Sequence, residues 1–324
     1  MERALVTGCN GFVGRALVER LAGGGFEVWG ADRVPAPAGF RGTSCLTGDL
    51  ADAAFVARVV EAAKPDCVVH LAAQASVRQS FDEPVATLAD STLPALHLLN
   101  NMRVTGSQAR VLLVGSADEY GTVAPEHLPL TESTEVNPES PYALAKSIQH
   151  QYGRMFARLY GVDAVMTRSF NHTGPGQRDA FVLSNFARQV AEIRRGRHAP
   201  VIDVGNLEVR RDFLDVRDVC DAYVVLLKRG RSGETYNVCS GRSYRIRDLL
   251  DQLCALAGVA VKIHVDQARL RPVDMPELRG DPAKMAEHTG WTARIPIEET
   301  LQSLLDYWDG RLHGNQDPRE SRAT

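Results

Sequence analysis

The chain has 324 residues, of which 44% are hydrophobic and 24% charged, and its formal net charge is -3. This composition is typical of a globular protein with one large or two smaller domains. The charge gives no reason to expect nucleic acid or an acidic membrane surface as a partner. Six scattered cysteines lack the paired spacing of a metal or redox site, so we expect reduced core thiols and no metal. With no recognisable signal peptide and no apolar run long enough to cross a bilayer, we expect a cytoplasmic protein.

Three glycines separate the first predicted strand from the first predicted helix. Gly8, Gly11 and Gly14 follow an apolar segment and precede a helical pattern of apolar residues. Glycines in this position let the backbone approach a pyrophosphate at the positive N-terminus of the helix. The next predicted strand ends at Asp32, whose carboxylate suits the two hydroxyls of a ribose and repels a 2′-phosphate. These features predict a bound nicotinamide dinucleotide, with NAD(H) favoured and NADP(H) possible because Arg33 follows.

Two later strand ends are expected to complete the dinucleotide site. A predicted strand over 44–47 leads to Asp49, whose carboxylate can meet an adenine amino group. Another, over 67–70, leads to small residues beside which a dinucleotide can lie, and His70 within it is interpreted as a core residue. The residues expected to bind the dinucleotide, besides the catalytic pair described next, are Gly8, Asn10, Gly11, Phe12, Val13, Gly14, Asp32, Arg33, Asp49, Leu50, Leu71, Ala72 and Ala73.

A tyrosine and a lysine lie one helical turn apart. Tyr142 and Lys146 share one face of a helix predicted over 141–160, with Ser140 as its N-cap. Because a neighbouring ammonium stabilises a phenolate, we expect Lys146 to lower the pKa of Tyr142 and make it a general acid. Ser116 ends another predicted strand, so its hydroxyl can reach the same site. The expected catalytic residues are therefore Ser116, Tyr142 and Lys146, the last two also contacting the dinucleotide.

Strands and helices alternate through the first half of the chain, which predicts a doubly wound parallel sheet of the Rossmann type in an α/β protein. Ligands bind such sheets beyond the carboxyl ends of the strands, where the glycine loop, Asp32, Ser116 and Asn171 should converge. The expected organisation is a dinucleotide-binding domain over 1–170 to which 205–240 returns, a smaller α/β substrate-binding region over 171–204 and 241–310, and a disordered tail over 311–324.

The glycine loop, Ser116 and the Tyr142–Lys146 pair together resemble the extended short-chain dehydrogenases/reductases over nearly the whole chain. Five shorter stretches resemble the family of GDP-4-dehydro-6-deoxy-D-mannose reductases, which make GDP-D-rhamnose. These stretches are residues 168–177, 205–208, 211–218, 236–241 and 270–272. The resemblance implies hydride transfer from NAD(P)H to the C4 keto group of a GDP-linked 4-keto-6-deoxy sugar. Tyr142 would donate the proton, Lys146 would bind the nicotinamide ribose, and Ser116 would hold the forming alkoxide.

The same resemblance implies a substrate-binding set and an assembly. Arg211 and Arg271 would clamp the diphosphate, because a guanidinium binds phosphate oxygens in pairs. The family commonly forms a homodimer, here through helices near 84–103 and 141–160. The expected substrate-binding residues are Ser80, Ser116, Asp118, Asn171, Asn185, Arg211, Arg271 and Asp274.

Three alternative functions stay open at this point. GDP-mannose 4,6-dehydratases and related epimerases share part of these motifs. The dehydratases, however, usually carry Thr-Ser-Glu or Thr-Asp-Glu where this chain has Ser116-Ala117-Asp118. Dehydration needs an acid and a base beyond the tyrosine, and Ala117 can supply neither, although Asp118 can. A reductase forming GDP-6-deoxy-talose would use the same residues with hydride arriving on the other face. A non-catalytic dinucleotide sensor would commonly lack the tyrosine or the lysine.

Overall fold

Strands and helices alternate from the N-terminus to residue 169, after which a smaller mixed region begins. The computed structural model describes residues 1–269 and 275–313. Its strands are β1 Arg3–Thr7, β2 Glu27–Asp32, β3 Ser44–Thr47, β4 Cys67–His70, β5 Arg110–Ser116, β6 Ala164–Ser169, β7 Asn171–Thr173, β8 Val201–Val204, β9 Arg210–Asp215, β10 Thr235–Val238, β11 Ser243–Arg245, β12 Lys262–Val265 and β13 Glu277–Leu278. Its α-helices are α1 Phe12–Gly23, α2 Ala53–Ala63, α3 Val77–Asp82, α4 Pro84–Thr105, α5 Pro141–Tyr160, α6 Val182–Arg194, α7 Val216–Arg229, α8 Ile246–Ala257, α9 Ala283–Thr289 and α10 Ile297–His313.

Among the described residues, seven strands form one parallel sheet in the order β10-β6-β5-β4-β1-β2-β3. The chain first builds outward from β1 to β3 and then returns to the other side of β1 with β4. The strand order therefore reverses beside β1, and the crevice at such a switch point is where ligands bind in doubly wound sheets. The predicted fold class is confirmed.

Helices cover both faces of the large sheet, which is why its central strands are apolar along their whole length. On one face Leu17 of α1 packs with Val219 and Tyr223 of α7. On the other face Val59 of α2 packs with Leu99 of α4. Burying each of these large side chains contributes about 1.5–3 kcal/mol. The two layers fix the positions of the strand ends, and with them the residues that face the crevice.

The chain beyond residue 170 builds a second region beside the large sheet. Strand β9 pairs with β11, β13 and β7, and a separate parallel pair joins β12 to β8. A third apolar core lies between α6, α8 and α10. Within the segment 205–240, α7 packs against α1 and β10 pairs with β6 in the large sheet. Strand β9 of that segment does not join the large sheet, because its edges are paired within the small one.

The C-terminal helix is longer than the sequence pattern indicated. Residues 311–313 belong to α10, although they were expected to begin a disordered tail. The guanidinium of Arg195 contacts the ring of His313 (2.9 Å from Nη1 to Nε2) and helps to hold this last turn. The remainder of the expected tail lies outside the described residues. No helix within 1–269 or 275–313 has both the length and the apolar character needed to cross a membrane.

Candidate active site

The loop between β1 and α1 has a backbone that only glycine accommodates at two positions. Gly8 has a φ of 69°, and a Cβ there would lie 2.9 Å from the amide nitrogen of Ala72. A Cβ on Gly14 would lie 2.2 Å from the Gly8 carbonyl oxygen. The loop therefore packs closely against the end of β4 and against the first turn of α1. The unbonded amides of that first turn make this a suitable place for a pyrophosphate.

Asp32 joins the end of β2 to the glycine loop. One carboxylate oxygen accepts a hydrogen bond from the Asn10 amide (2.9 Å) and the other accepts one from the Val34 amide (3.3 Å). The Asn10 side chain in turn donates to the Val34 carbonyl (2.8 Å). An acidic group beside an anion-binding loop at the switch point fits a ribose followed by a pyrophosphate, so the residues present suit a dinucleotide.

The remaining predicted dinucleotide residues lie at the start of α1 and after the ends of β3 and β4. Phe12 and Val13 open α1, and the Phe12 ring stacks on the His172 ring with centroids 6.3 Å apart. Leu71 donates its amide to the Thr7 carbonyl (3.2 Å), which holds the end of β4 against β1. Two further residues, Ala72 and Ala73, are partly exposed at that strand end, while Leu50 is buried and Asp49 is exposed.

Ser116 lies at the end of β5 and caps a short 3-10 helix, Ala117–Tyr120. Its hydroxyl accepts a hydrogen bond from the Asp118 amide (3.2 Å) and lies near enough to the Tyr142 phenol to lower the pKa of that group. Its own amide donates to a carboxylate oxygen of Glu119 (3.0 Å). The structure thus brings Ser116 and Tyr142 together across 26 residues of sequence.

Helix α5 presents Tyr142 and Lys146 on one face, beginning at Pro141 with Ser140 as its N-cap. Burial, assisted by the Asp118 carboxylate, raises the pKa of Tyr142 above its ordinary value, against the lowering effect of the nearby Ser116 hydroxyl. Lys146 is buried, its ammonium donates to the Val114 carbonyl (2.8 Å), and burial lowers its pKa to about 8.

The expected effect of Lys146 on Tyr142 is therefore not found in this structure. The pKa of Tyr142 is raised, because the loss of water around a phenolate outweighs the help it receives. A phenol that keeps its proton at neutral pH is suited to donating that proton. Tyr142 accordingly has the properties of a general acid.

A buried ionic cluster lies behind these residues. The Glu119 side chain is fully buried, and its second oxygen lies 3.2 Å from Nδ1 of His150 and 3.4 Å from Nε of Arg168. His150 is one turn beyond Lys146 on α5, and Arg168 lies on β6. Glu119 therefore connects the backbone of Ser116 to the catalytic helix and to the neighbouring strand. Its charge also opposes the effect of burial on Lys146, raising the pKa of that ammonium.

Sequence reasoning did not select Glu119, His150 or Arg168 as site residues. A local signal was present, since Ser116-x-x-Glu119 has the serine-to-glutamate spacing of a capping box. The structure contains that box, with both reciprocal hydrogen bonds formed. The partners on α5 and β6 could not be read from local spacing.

His70 is buried at the end of β4, in agreement with its interpretation as a core residue. Its Nδ1 lies 2.8 Å from the Thr7 hydroxyl. Burial, together with the nearby Lys146 charge, lowers the pKa of His70 to about 3. The ring is therefore neutral at physiological pH.

The predicted substrate residues differ from one another in exposure and in their hydrogen-bond partners. Asn171 is exposed at the start of β7, and Arg211, on β9, donates to the carbonyls of Arg210 (2.8 Å) and Met275 (2.7 Å). On α6, Asn185 accepts a hydrogen bond from Arg269 (3.1 Å).

Three of the predicted substrate residues receive no support from the structure. Ser80 is fully buried, and its hydroxyl donates to the Val77 carbonyl of its own helix (2.6 Å), so it has no surface to offer a ligand. Arg271 and Asp274 lie outside the described residues. In the part of the chain that is described, no group of three or more His, Cys, Asp or Glu side chains is arranged to hold a metal ion.

Residues 5–304 match the family described as GDP-mannose 4,6 dehydratase. The chain belongs to this family. It is 37% identical over 311 residues to a GDP-6-deoxy-D-mannose reductase of Pseudomonas aeruginosa, which covers 96% of this chain and 98% of the relative. It is 29% identical to GDP-mannose 4,6 dehydratase 1 of Arabidopsis thaliana, with 94% and 88% covered. The resemblance drawn from the sequence is thereby confirmed.

Solved structures agree with these relationships. RMD from Pseudomonas aeruginosa, complexed with NADPH, superposes with a TM-score of 0.85 at 34% identity and covers 95% of this chain and 99% of that one. A UDP-glucose 4-epimerase of Thermus thermophilus in complex with NAD superposes with a TM-score of 0.84 at 28% identity, with 95% and 99% covered.

Proposed function

We propose that this protein is an NAD(P)-dependent oxidoreductase that reduces the C4 keto group of GDP-4-keto-6-deoxy-mannose to give GDP-D-rhamnose. The observation that carries this proposal is the joint presence of the Ser116–Tyr142–Lys146 site and 37% identity over 96% of the chain to a GDP-6-deoxy-D-mannose reductase. A bound reduced nicotinamide dinucleotide supplies the hydride. The glycine loop would hold its pyrophosphate, Asp32 its adenosine ribose and Lys146 its nicotinamide ribose.

The chain's own residues manage the proton and the developing charge. Tyr142 donates its phenolic proton to the C4 oxygen, and its raised pKa keeps that proton available. The Ser116 hydroxyl, which lies beside this phenol, stabilises the oxygen as negative charge develops on it. The Lys146 ammonium, one helical turn from Tyr142 on α5, donates to the Val114 carbonyl. Asn171 would contact the sugar or a phosphate oxygen, and Arg211 would contact the diphosphate.

Reduction is favoured over dehydration by the groups beside Ser116. Dehydration across C5 and C6 requires a further acid and base. Ala117 is buried and cannot ionise, and Glu119 is fully buried with its carboxylate bound to the Ser116 amide and the Arg168 guanidinium. Asp118 places one carboxylate near Tyr142, where a dehydratase needs both an acid and a base.

The test is a pair of incubations followed by product analysis. GDP-4-keto-6-deoxy-mannose with NADH or NADPH should consume the reduced coenzyme, and NMR of the product should show the rhamno configuration at C4. A talo product would replace this proposal with the epimeric reductase. GDP-mannose alone should remain unchanged, whereas its conversion to the 4-keto sugar without added reductant would make the protein a dehydratase.

NADH is the proposed coenzyme, because Asp32 borders the ribose position and Arg33 is held by two carboxylates.

We also propose a homodimer built on α4 and α5, which expose Val85, Leu93, Leu144 and Leu159 to solvent. Light scattering of the purified protein tests the dimer. A cytoplasmic location belongs to the same proposal and is supported by the free thiols of all six cysteines.

A further inference from the structure

The adenosine end of the predicted dinucleotide site holds an ion cluster in which one guanidinium meets two carboxylates. Arg33 follows Asp32 directly and is the nearest cation in sequence to the ribose position. Its two terminal nitrogens donate to the two oxygens of Asp90 (2.8 and 2.7 Å), a paired geometry. One of these nitrogens also lies 3.2 Å from an Asp49 oxygen.

The three members of this cluster come from separate elements. Arg33 follows β2, Asp49 follows β3, and Asp90 lies on α4. The partners reinforce one another's charge: the Arg33 guanidinium lowers the pKa of the Asp90 carboxyl, and Asp90, followed by Asp49, raises the pKa of Arg33. The Arg33 guanidinium and the Asp90 carboxylate therefore both carry full charge at neutral pH.

We infer that Asp90 is a specificity-determining positioning residue, which selects NADH over NADPH by holding Arg33 away from the 2′-phosphate of NADPH. A 2′-phosphate on the ribose beside Asp32 needs a cation as its partner. Arg33 can serve only by leaving Asp90, so binding of NADPH includes the loss of a paired ionic contact. The cluster has two carboxylates for one guanidinium and follows the Asp32 carboxylate, and this excess of acidic groups also repels a phosphate.

The size of the effect follows from the exposure of the pair. The Arg33 and Asp90 side chains are 50% and 34% exposed, so their contact is worth at most about 1 kcal/mol, or about fivefold in binding. The inference rests on the proposed function only in needing a bound nicotinamide dinucleotide. It does not depend on which sugar is reduced.

The experiment compares dissociation constants for NADH and NADPH, measured by nicotinamide fluorescence without any sugar. Asp90→Asn should lower the ratio of the NADPH constant to the NADH constant by up to about fivefold. Asp82→Asn, at an exposed aspartate ending α3, is the matched control and should leave the ratio unchanged.

A double variant tests whether the effect passes through Arg33. The gain in NADPH binding should disappear in Asp90→Asn combined with Arg33→Ala, while Arg33→Ala alone should change the ratio little. An unchanged ratio in Asp90→Asn, or a gain that survives the loss of Arg33, would overturn the inference. Failure of the wild type to bind either dinucleotide would overturn the proposed function itself, which separates the two outcomes.

Discussion

The two sides of the candidate site are held by different kinds of interaction. The catalytic side, formed by the end of β5 with α5 and β6, is buried and joined by the Glu119 cluster. The proposed substrate side is formed by β7, α6 and β9, and its Asn171 is exposed. Surface ion pairs such as Arg245–Glu208 (3.3 Å) border the small sheet on this side. Burial sets the pKa values that proton transfer needs, whereas surface groups can be exchanged at little cost in stability.

The largest effect is expected from removing the charge at the centre of the catalytic side. Glu119→Gln leaves Arg168 buried without its full counter-charge, and breaking a buried pair costs about 3–5 kcal/mol. The measurement is the free energy of unfolding from denaturant titration. A loss below about 1 kcal/mol would mean that the cluster behaves like a surface pair.

The second-largest effect is expected from removing the proposed general acid, Tyr142. Tyr142→Phe should reduce turnover by at least ~10²-fold, because a positioned proton donor is worth that much, while NADH binding persists. Tyr160→Phe is the control, since this half-exposed residue ends the same helix. Near-normal turnover of Tyr142→Phe would remove the tyrosine from the mechanism.

The pH dependence of turnover tests the environment of Lys146. An amine whose pKa is lowered to about 8 carries its charge below that pH and loses it above. Turnover should therefore fall above pH 8, by about tenfold per unit. In Lys146→Arg the residual activity should lose this alkaline limb, because a guanidinium stays protonated. A limb that remains near pH 8 in this variant would belong to another group.

The smallest effect on the free energy of unfolding is expected when a glutamate on the substrate side is replaced by glutamine. Glu208→Gln removes one partner of the exposed Arg245–Glu208 pair, whose side chains are 41% and 68% exposed. Its unfolding free energy should change by less than about 1 kcal/mol. A change as large as that of Glu119→Gln would erase the contrast between the two sides.

The features that the sequence predicts correctly depend on local spacing. The helix over Pro141–Tyr160 begins at the predicted serine cap, and the alternation of strands and helices was sufficient for the doubly wound sheet. Convergence of Ser116 on Tyr142 followed from that topology, because the carboxyl ends of parallel strands meet at one edge.

The features that the sequence does not predict depend on distant partners or on solvent. The raised pKa of Tyr142 reflects burial, which residue spacing does not express. Glu119 has an evident local bond to Ser116, yet its ionic partners lie 31 and 49 residues away. The pairing of Arg33 with Asp90 spans 57 residues and needs α4 in its packed position.

Strand β10 is synthesised after all of the proposed catalytic residues, and this order affects how the chain can fold during synthesis. All residues of β6 are buried, and the outer edge of this strand is covered by Thr235–Val238. A nascent chain ending before that strand would contain the glycine loop, Ser116, Tyr142 and Lys146, but would expose an apolar strand edge that invites aggregation. The catalytic half is therefore not an independent unit, and fragments cut near residue 204 should be insoluble even though every proposed catalytic residue is present.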